Sequence, residues 1–184
     1  MTARRYAFER QRPVAGSAFG RFFRRDVAQM GRDLIEARPE RLLVRASTGA
    51  PGWANVPWLA FFAPQVTRSM RHGLYVVIFV NARDEAVTLS LQHGAADALT
   101  RLGATEGRAH LRQLAAATRG RLGRGHGFSE DPICLGAPAD LPLGYEAGSA
   151  LSRSWAAGDV ELARLPHALE GMLDLYRGLV GPPE

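Results

Sequence analysis

Two apolar runs, Leu74-Tyr-Val-Val-Ile-Phe-Val80 and Val87-Thr-Leu-Ser-Leu91, are joined by the charged pentapeptide Asn81-Ala-Arg-Asp-Glu85. Both runs are rich in β-branched or aromatic residues, which favour strands. A short charged connection between two such runs is typical of a β-hairpin. The pair therefore predicts the centre of an antiparallel sheet.

Further strand candidates lie on either side of this hairpin. Residues 41–45 form one short candidate, and residues 46–52 are turn formers that predict a loop after it. Residues 56–62 are apolar but contain Pro57, which predicts an edge strand or an irregular start. Residues 132–135 are a further short strand candidate.

Helical periodicity appears towards both ends of the chain. Apolar residues at 19, 23, 27, 30 and 34 predict an amphipathic helix that ends near Arg38-Pro39. From residue 159 the apolar residues again recur helically, and Pro166 there marks either a kink or the first turn. Residues 95–119, rich in alanine and leucine, predict one or two more helices. The expected fold class is α+β, a small and mostly antiparallel sheet flanked by N- and C-terminal amphipathic helices.

The domain organisation follows from length and local composition. A chain of 184 residues that is 46% hydrophobic suits one domain. Residues 1–15 are basic and lack a sustained period, so they are predicted to form a flexible arm before a domain at 16–180. Residues 181–184, Gly-Pro-Pro-Glu, resemble the start of a linker or a tail. Neither a signal core nor an apolar run of roughly 20 residues is present, which predicts no membrane association and a cytoplasmic location.

The charge of the chain comes with an unusual choice of residue. All 23 basic residues are arginine, and the formal net charge is +5. The absence of lysine excludes a Gly-Lys-Ser/Thr phosphate-binding loop, Schiff-base lysines and Ser-x-x-Lys acylases. Residues 1–45 and 101–128 are strongly basic, whereas 129–184 are acidic. This outline is typical of a polyanion binder, although solvated arginine faces give the same pattern.

Motifs for catalysis or metal binding are missing from the sequence. The five histidines are scattered, and the single Cys134 allows no internal disulfide. Neither a Gly-x-Ser-x-Gly elbow nor the His-x-Glu with Cys-x-x-Cys of a base deaminase occurs. The sequence therefore predicts no catalytic residue, no metal site and no cofactor.

Aromatic residues concentrate in the neutral centre of the chain, at Trp53, Trp58, Phe61, Phe62, Tyr75 and Phe79. Packing in the core is one explanation for them. A platform on which a nucleobase stacks, close to arginine-bearing loops, is another. Composition alone leaves both open.

The segment Gly52-Trp-Ala-Asn-Val-Pro-Trp-Leu-Ala-Phe-Phe62 resembles the hallmark segment of the N-terminal DNA-recognition domain of McrB-type modification-dependent (type IV) restriction enzymes. The resemblance continues through Gly73-Leu-Tyr-Val-Val-Ile-Phe79 and Val87-Thr-Leu-Ser-Leu-Gln-His-Gly94. It resumes at Tyr145-Glu-Ala-Gly148 and ends in a last helix with Leu169, Met172, Leu173 and Tyr176. It covers roughly residues 19–180.

The resemblance implies a non-catalytic domain that binds duplex DNA and flips a modified cytosine, 5-methylcytosine or 5-hydroxymethylcytosine, into an aromatic pocket. By motif, the pocket is lined by Trp58, Tyr75, Phe79 and Tyr145. Groups near Asn55 or Asn81 are candidates for polar contacts to the edge of the base. The sequence departs from the family pattern at two positions. Ala50 stands where the family has an aromatic residue, and Phe79 is bulkier than the leucine expected at its position. The alternative is therefore a pocket for N6-methyladenine or another modified base.

Six side chains in loops or at sheet ends are candidates for contacts to the DNA backbone: Arg68, Arg71, His72, His93, Arg121 and Arg124. Arginine suits this role because its planar fork can donate two hydrogen bonds to one phosphate. The implied partners are modified duplex DNA and a nuclease and motor, fused or separate, in phage defence. Two readings from other classes stay open: a small enzyme acting on nucleic acid, and a protein-interaction module anchored by Trp53 and Trp58.

Overall fold

A computed structural model describes residues 3–49, 51–156 and 158–181 of the chain. Its centre is one antiparallel sheet of five strands, whose order in space is their order in the chain. The strands are β1 (Leu43–Ser47), β2 (Trp58–Phe62), β3 (Leu74–Asn81), β4 (Ala86–His93) and β5 (Ser149–Ala156). The expected α+β class and the hairpin of β3 and β4 are confirmed.

Helices precede, interrupt and follow the strands. In the described part of the chain they are α1 (Ala3–Glu9), α2 (Ala18–Phe22), α3 (Ala28–Leu34), α4 (Ala96–Leu122), α5 (Asp140–Gly148) and α6 (Leu165–Val180). A π-helical turn, Phe23–Val27, joins α2 to α3, and a 3-10 turn, Val160–Arg164, precedes α6. Within the described ranges, no helix combines the length and the apolar character that crossing a membrane requires.

Both faces of the sheet are apolar because helices cover both. Side chains such as Phe61 and Val76 share one buried cluster with residues of α2, α3 and α6. The alternating side chains, among them Phe62 and Tyr75, belong to a second cluster with α4 and α5. On that second face, α4 and α5 pack chiefly against β4 and β5. The part of the face over β1 and β2 therefore lies beside the helices rather than beneath them.

The predicted helices are present with local refinements. The N-terminal amphipathic helix spans α2, the π-helical turn and α3. Gly103 has φ 78° and ψ 171°, so α4 consists of two helical parts. Pro166 lies in the first turn of α6 and does not kink it. Pro57 lies directly before β2, which pairs with neighbours on both sides rather than forming an edge.

The structure differs from the sequence-based expectation in four places. The predicted flexible arm contains helix α1, whose Tyr6 is fully buried. One buried aromatic residue in a seven-residue helix creates no period to detect. The strand predicted at 132–135 is absent. Just before it, Ser129 forms an isolated β-bridge with Ser152. Helix α5 and strand β5 were not predicted.

Candidate nucleic-acid interface

A cleft of about 610 Å³ opens over β1 and β2, beside helices α4 and α5. Its residues come from the two strands, from the loops at both ends of β2, and from the starts of α4 and α5; they include Arg45, Trp58, Phe62, Arg68, Arg71 and Tyr145. The volume lies within the roughly 300–1,000 Å³ that is usual for ligand pockets. Aromatic and arginine side chains thus border one opening.

The partly exposed aromatic residues of the lining are Trp53 and Trp58, whereas Tyr145 borders the cleft with only 6% of its surface exposed. Trp58 begins β2 directly after Pro57 and is partly exposed. Tyr145 projects from α5, and its ring centroid lies 5.3 Å from that of Phe79. Burial raises the pKa of Tyr145 to about 12, against a smaller downward effect of Arg71, so the phenol stays protonated at neutral pH. Within the described residues its hydroxyl has no hydrogen-bond partner.

Tyr75 and Phe79 lie beneath the cleft rather than in its lining. Both are fully buried. The ring of Tyr75 packs 5.2 Å from that of Phe62, and its hydroxyl donates to the carbonyl of Met70 at 3.3 Å. Burial raises the pKa of Tyr75 well above its usual range. The two residues support the lining residues Phe62, Met70 and Tyr145 from below.

One carboxylate orients two of the predicted phosphate ligands. Arg71 and His72 follow each other in the loop between β2 and β3, which we call the rim loop (residues 63–73). A carboxylate oxygen of Asp97 lies 2.7 Å from Nη2 of Arg71, and the other lies 3.0 Å from Nδ1 of His72. Desolvation acts to raise the pKa of Asp97, but the hydrogen bonds from His72 and Arg71 outweigh it and lower the pKa. Arg71 lines the cleft, and His72 lies just outside it.

The rim loop has its backbone acceptors engaged. Four consecutive carbonyls, those of Arg68, Ser69, Met70 and Arg71, accept hydrogen bonds from Arg45, Thr67, Tyr75 and the backbone of Asp97 at 3.1, 3.1, 3.3 and 3.1 Å. The exposed guanidinium groups of Arg68 and Arg71 then dominate what the loop presents to solvent. Sequence reasoning missed Arg45, whose position opposite Ala60 on the edge strand becomes visible only once the strands are paired.

The two predicted asparagines do not line the cleft. Asn55 is exposed and accepts a hydrogen bond from Arg10 at 3.2 Å. Asn81 is 2% exposed. Its amide oxygen accepts from the backbone of Arg83 and Asp84, and its amide nitrogen donates to Asp84 and to the carbonyl of Cys134. Asn81 therefore shapes the hairpin turn between β3 and β4. Ala50, the other position singled out by the family pattern, lies outside the described residues.

His93, Arg121 and Arg124 also lie away from the cleft. Nε2 of His93 is 2.8 Å from Oγ1 of Thr118, and burial lowers the pKa of His93 to about 4. Arg121 donates to the carbonyl of Leu179 at 2.9 Å, near the end of α6. Arg124 is exposed in the glycine loop (residues 123–127), which Arg153 of β5 contacts through the carbonyl of Gly127. Four strand spacings, roughly 19 Å, separate β5 from β1.

The family model described as "MrcB-like, N-terminal domain" matches residues 2–181. The search of curated proteins returned no match. The matched range includes the whole sheet, the flanking helices and every residue of the cleft. The chain therefore belongs to the MrcB-like N-terminal domain family, a family of DNA-binding domains associated with restriction systems.

Proposed function

We propose that this domain binds duplex DNA carrying a modified base and holds that base, rotated out of the helix, in the cleft, with its face against Trp58 and its edge towards Tyr145. The observation that supports the proposal is the cleft, where Trp58 and Tyr145 line one opening with Arg45, Arg68 and Arg71. One opening thus combines π faces for a base with cationic donors for the adjoining phosphates.

The energetics of base flipping favour such a site. Extrusion of a base costs a few kcal/mol in stacking and pairing. Stacking on aromatic side chains returns about 1–3 kcal/mol per base. Contacts between arginines and phosphates provide most of the remaining affinity and make it depend on salt concentration.

Discrimination of the modification requires more than an apolar wall. One methyl group in an apolar pocket contributes only about 1 kcal/mol. Tyr145 lines the cleft, and its neutral hydroxyl has no partner among the described residues, so it is the group that we assign to the edge of the base. The modified bases that we propose are 5-methylcytosine and 5-hydroxymethylcytosine, with N6-methyladenine as the alternative. In this role the domain gives specificity to a nuclease and motor located elsewhere.

Substitution of Trp58 by alanine tests the proposal. We expect W58A to reduce the preference for modified over unmodified duplex about tenfold or more, because one face of the base loses its stacking partner. The salt-dependent background binding should persist, because the arginines are retained. The measurement is a competition titration over otherwise identical duplexes that carry one 5-methylcytosine, 5-hydroxymethylcytosine, N6-methyladenine or no modification.

W58F is the matched control, since it keeps a ring at this position and should retain most of the preference. A fluorescent base analogue at the target position should brighten when the wild-type protein binds, because the base leaves the stack. A wild-type preference for unmodified duplex, or an unchanged preference in W58A, would contradict the proposal.

A further inference from the structure

Helix α1 is fastened to one wall of the cleft. This wall is the loop before β2 (residues 51–57, the wall loop), of which Trp53 and Ala54 line the cleft. The hydroxyl of Tyr6 donates to the carbonyl of Ala54 at 2.5 Å and lies 3.3 Å from that of Thr48. Nε1 of Trp53 donates to the carbonyl of Arg12, also at 2.5 Å. Two hydrogen bonds thus join the N-terminal segment to the wall loop, and Tyr6 also reaches the carbonyl of Thr48 just before it.

Aromatic packing reinforces this connection. The ring of Trp53 meets that of Tyr6 edge-on, with centroids 5.6 Å apart, and lies 6.4 Å from Phe19 of α2. Tyr6 also packs 6.1 Å from Phe19. Because Tyr6 is fully buried, α1 and the wall loop share one packed cluster. The position of α1 relative to the cleft is therefore set by the fold.

Two arginines that follow α1, Arg10 and Arg12, stand beside this wall. Arg10 and Arg12 are exposed, and neither forms an ion pair with a described residue. Arg10 donates to Asn55 of the wall loop at 3.2 Å. The guanidinium of Arg12 lies 5.0 Å from the ring of Phe8, which restricts its orientation. Arg71 differs from both, since it is paired with Asp97.

We propose that Arg10 and Arg12 form a second phosphate-binding edge of the interface, held there by Tyr6 and Trp53. The proposal rests on the proposed function, since it assigns a further part of the same DNA. The wall loop and the rim loop leave opposite ends of β2, roughly 17 Å apart at 3.4 Å per residue. Duplex DNA carries a charge about every 1.7 Å of its axis, so one duplex over the cleft offers phosphates to both loops.

The double variant R10Q/R12Q tests this edge in the full chain. Both side chains are exposed, so the substitutions leave the core intact. We expect the affinity at low salt to fall about tenfold or more for modified and unmodified duplexes alike. The slope of log K against log salt should become shallower by about 1.8, which is 0.9 for each lost phosphate contact. The control R112Q/R164Q removes the same charge from exposed sites outside the cleft and should stay within about twofold of wild type.

The variant Y6F tests whether α1 needs its anchor. It keeps the buried ring and removes the hydrogen bonds to Thr48 and Ala54. We expect a folded protein by circular dichroism with a shallower salt slope than wild type, because the arginines lose their fixed position. Tyr6 is thus a positioning residue, and the salt slope is a readout that stability alone does not change.

The outcomes separate the two proposals. If R10Q/R12Q and its control give the same affinity and salt slope, the second edge is refuted, while the response of modification preference to W58A still decides the proposed function. If the wild-type domain shows no salt-dependent binding to any duplex, both proposals fail. If Y6F matches wild type in salt slope while R10Q/R12Q does not, the phosphate contacts stand and the anchoring role of Tyr6 is refuted.

Discussion

The two edges of the sheet both carry arginines, but these arginines have different roles. At the β1 edge, Arg68 and Arg71 border an open cleft. At the β5 edge, arginines are used on backbone carbonyls: Arg119 on Ser149 and Ala150, Arg121 on Leu179, and Arg153 on Gly127. Carbonyls at turns and helix ends need donors, and arginine provides them here. A basic stretch of sequence therefore indicates a phosphate site only when it is known which of its arginines already bind backbone carbonyls within the fold.

The largest expected effect comes from replacing pairs of arginines by glutamine, first at one edge of the sheet and then at the other. We expect R68Q/R71Q to weaken binding to duplex DNA about 100-fold at low salt, since each lost charge-assisted contact costs about tenfold. R121Q/R124Q removes the same charge at the β5 edge and should change the affinity less than threefold. Titration of both variants against one labelled duplex at several salt concentrations measures the difference. Equal losses in the two variants would show that the DNA covers both edges.

The two histidines predicted to contact DNA provide a second comparison, with a smaller expected effect. His72 lies on the rim loop, whereas His93 lies in the interior. Burial lowers the pKa of His93 from its ordinary 6.5 to about 4 in the folded domain. The unfolded chain therefore binds more protons between these values, and folded stability falls as pH drops from about 6.5 towards 4. At about 1.36 kcal/mol per pKa unit, and with allowance for partial exposure, the loss is on the order of 2 kcal/mol.

Urea unfolding of wild type, H93Q and H72Q between pH 4.5 and 8 measures this contribution. H93Q should flatten the pH dependence of stability, whereas H72Q, whose ring is exposed on the rim, should mainly affect DNA binding. At pH 8 we expect H93Q to bind duplex DNA as wild type does. A loss of affinity in H93Q without a loss of stability would return His93 to the interface.

The smallest expected effect concerns the approach to the glycine loop. Gly120 lies in the last turns of α4, and a Cβ placed on it would meet open space. We expect G120A to stabilise the domain by about 0.5–1 kcal/mol, because alanine is the better helix former. Thermal unfolding measures the gain, and DNA affinity should not change. Weaker DNA binding in G120A would indicate that the β5 edge contributes through its mobility.

Sequence patterns predicted those helices and strands whose apolar residues recur with a regular period. The hairpin of β3 and β4 and the long amphipathic helices follow from periods that each segment carries by itself. Strand β5 also carried a signal, since Leu151, Arg153 and Trp155 alternate with serines. Helix α1 did not, because Tyr6 is held by residues more than 40 positions later in the chain.

The candidate site was predictable in outline only. The family motif named Trp58 and Tyr145, which both line one opening, and the period of two predicted that Tyr75 and Phe79 lie on the same side of the sheet. Periodicity states on which face a side chain lies, but not whether another ring covers it. For that reason the sequence did not reveal that Tyr75 and Phe79 lie beneath the cleft instead of lining it. Arg45 was missed because its neighbourhood depends on strand register.

The meander order of the strands has a consequence for biogenesis. Strands β1 to β4 can pair one after another as the chain is synthesised, because each lies next to its predecessor. Tyr145 arrives much later, and the buried amide of Gln92 in β4 must then bind its carbonyl, at 2.9 Å. A nascent chain therefore acquires the floor of the cleft early but cannot enclose a base until α5 has docked.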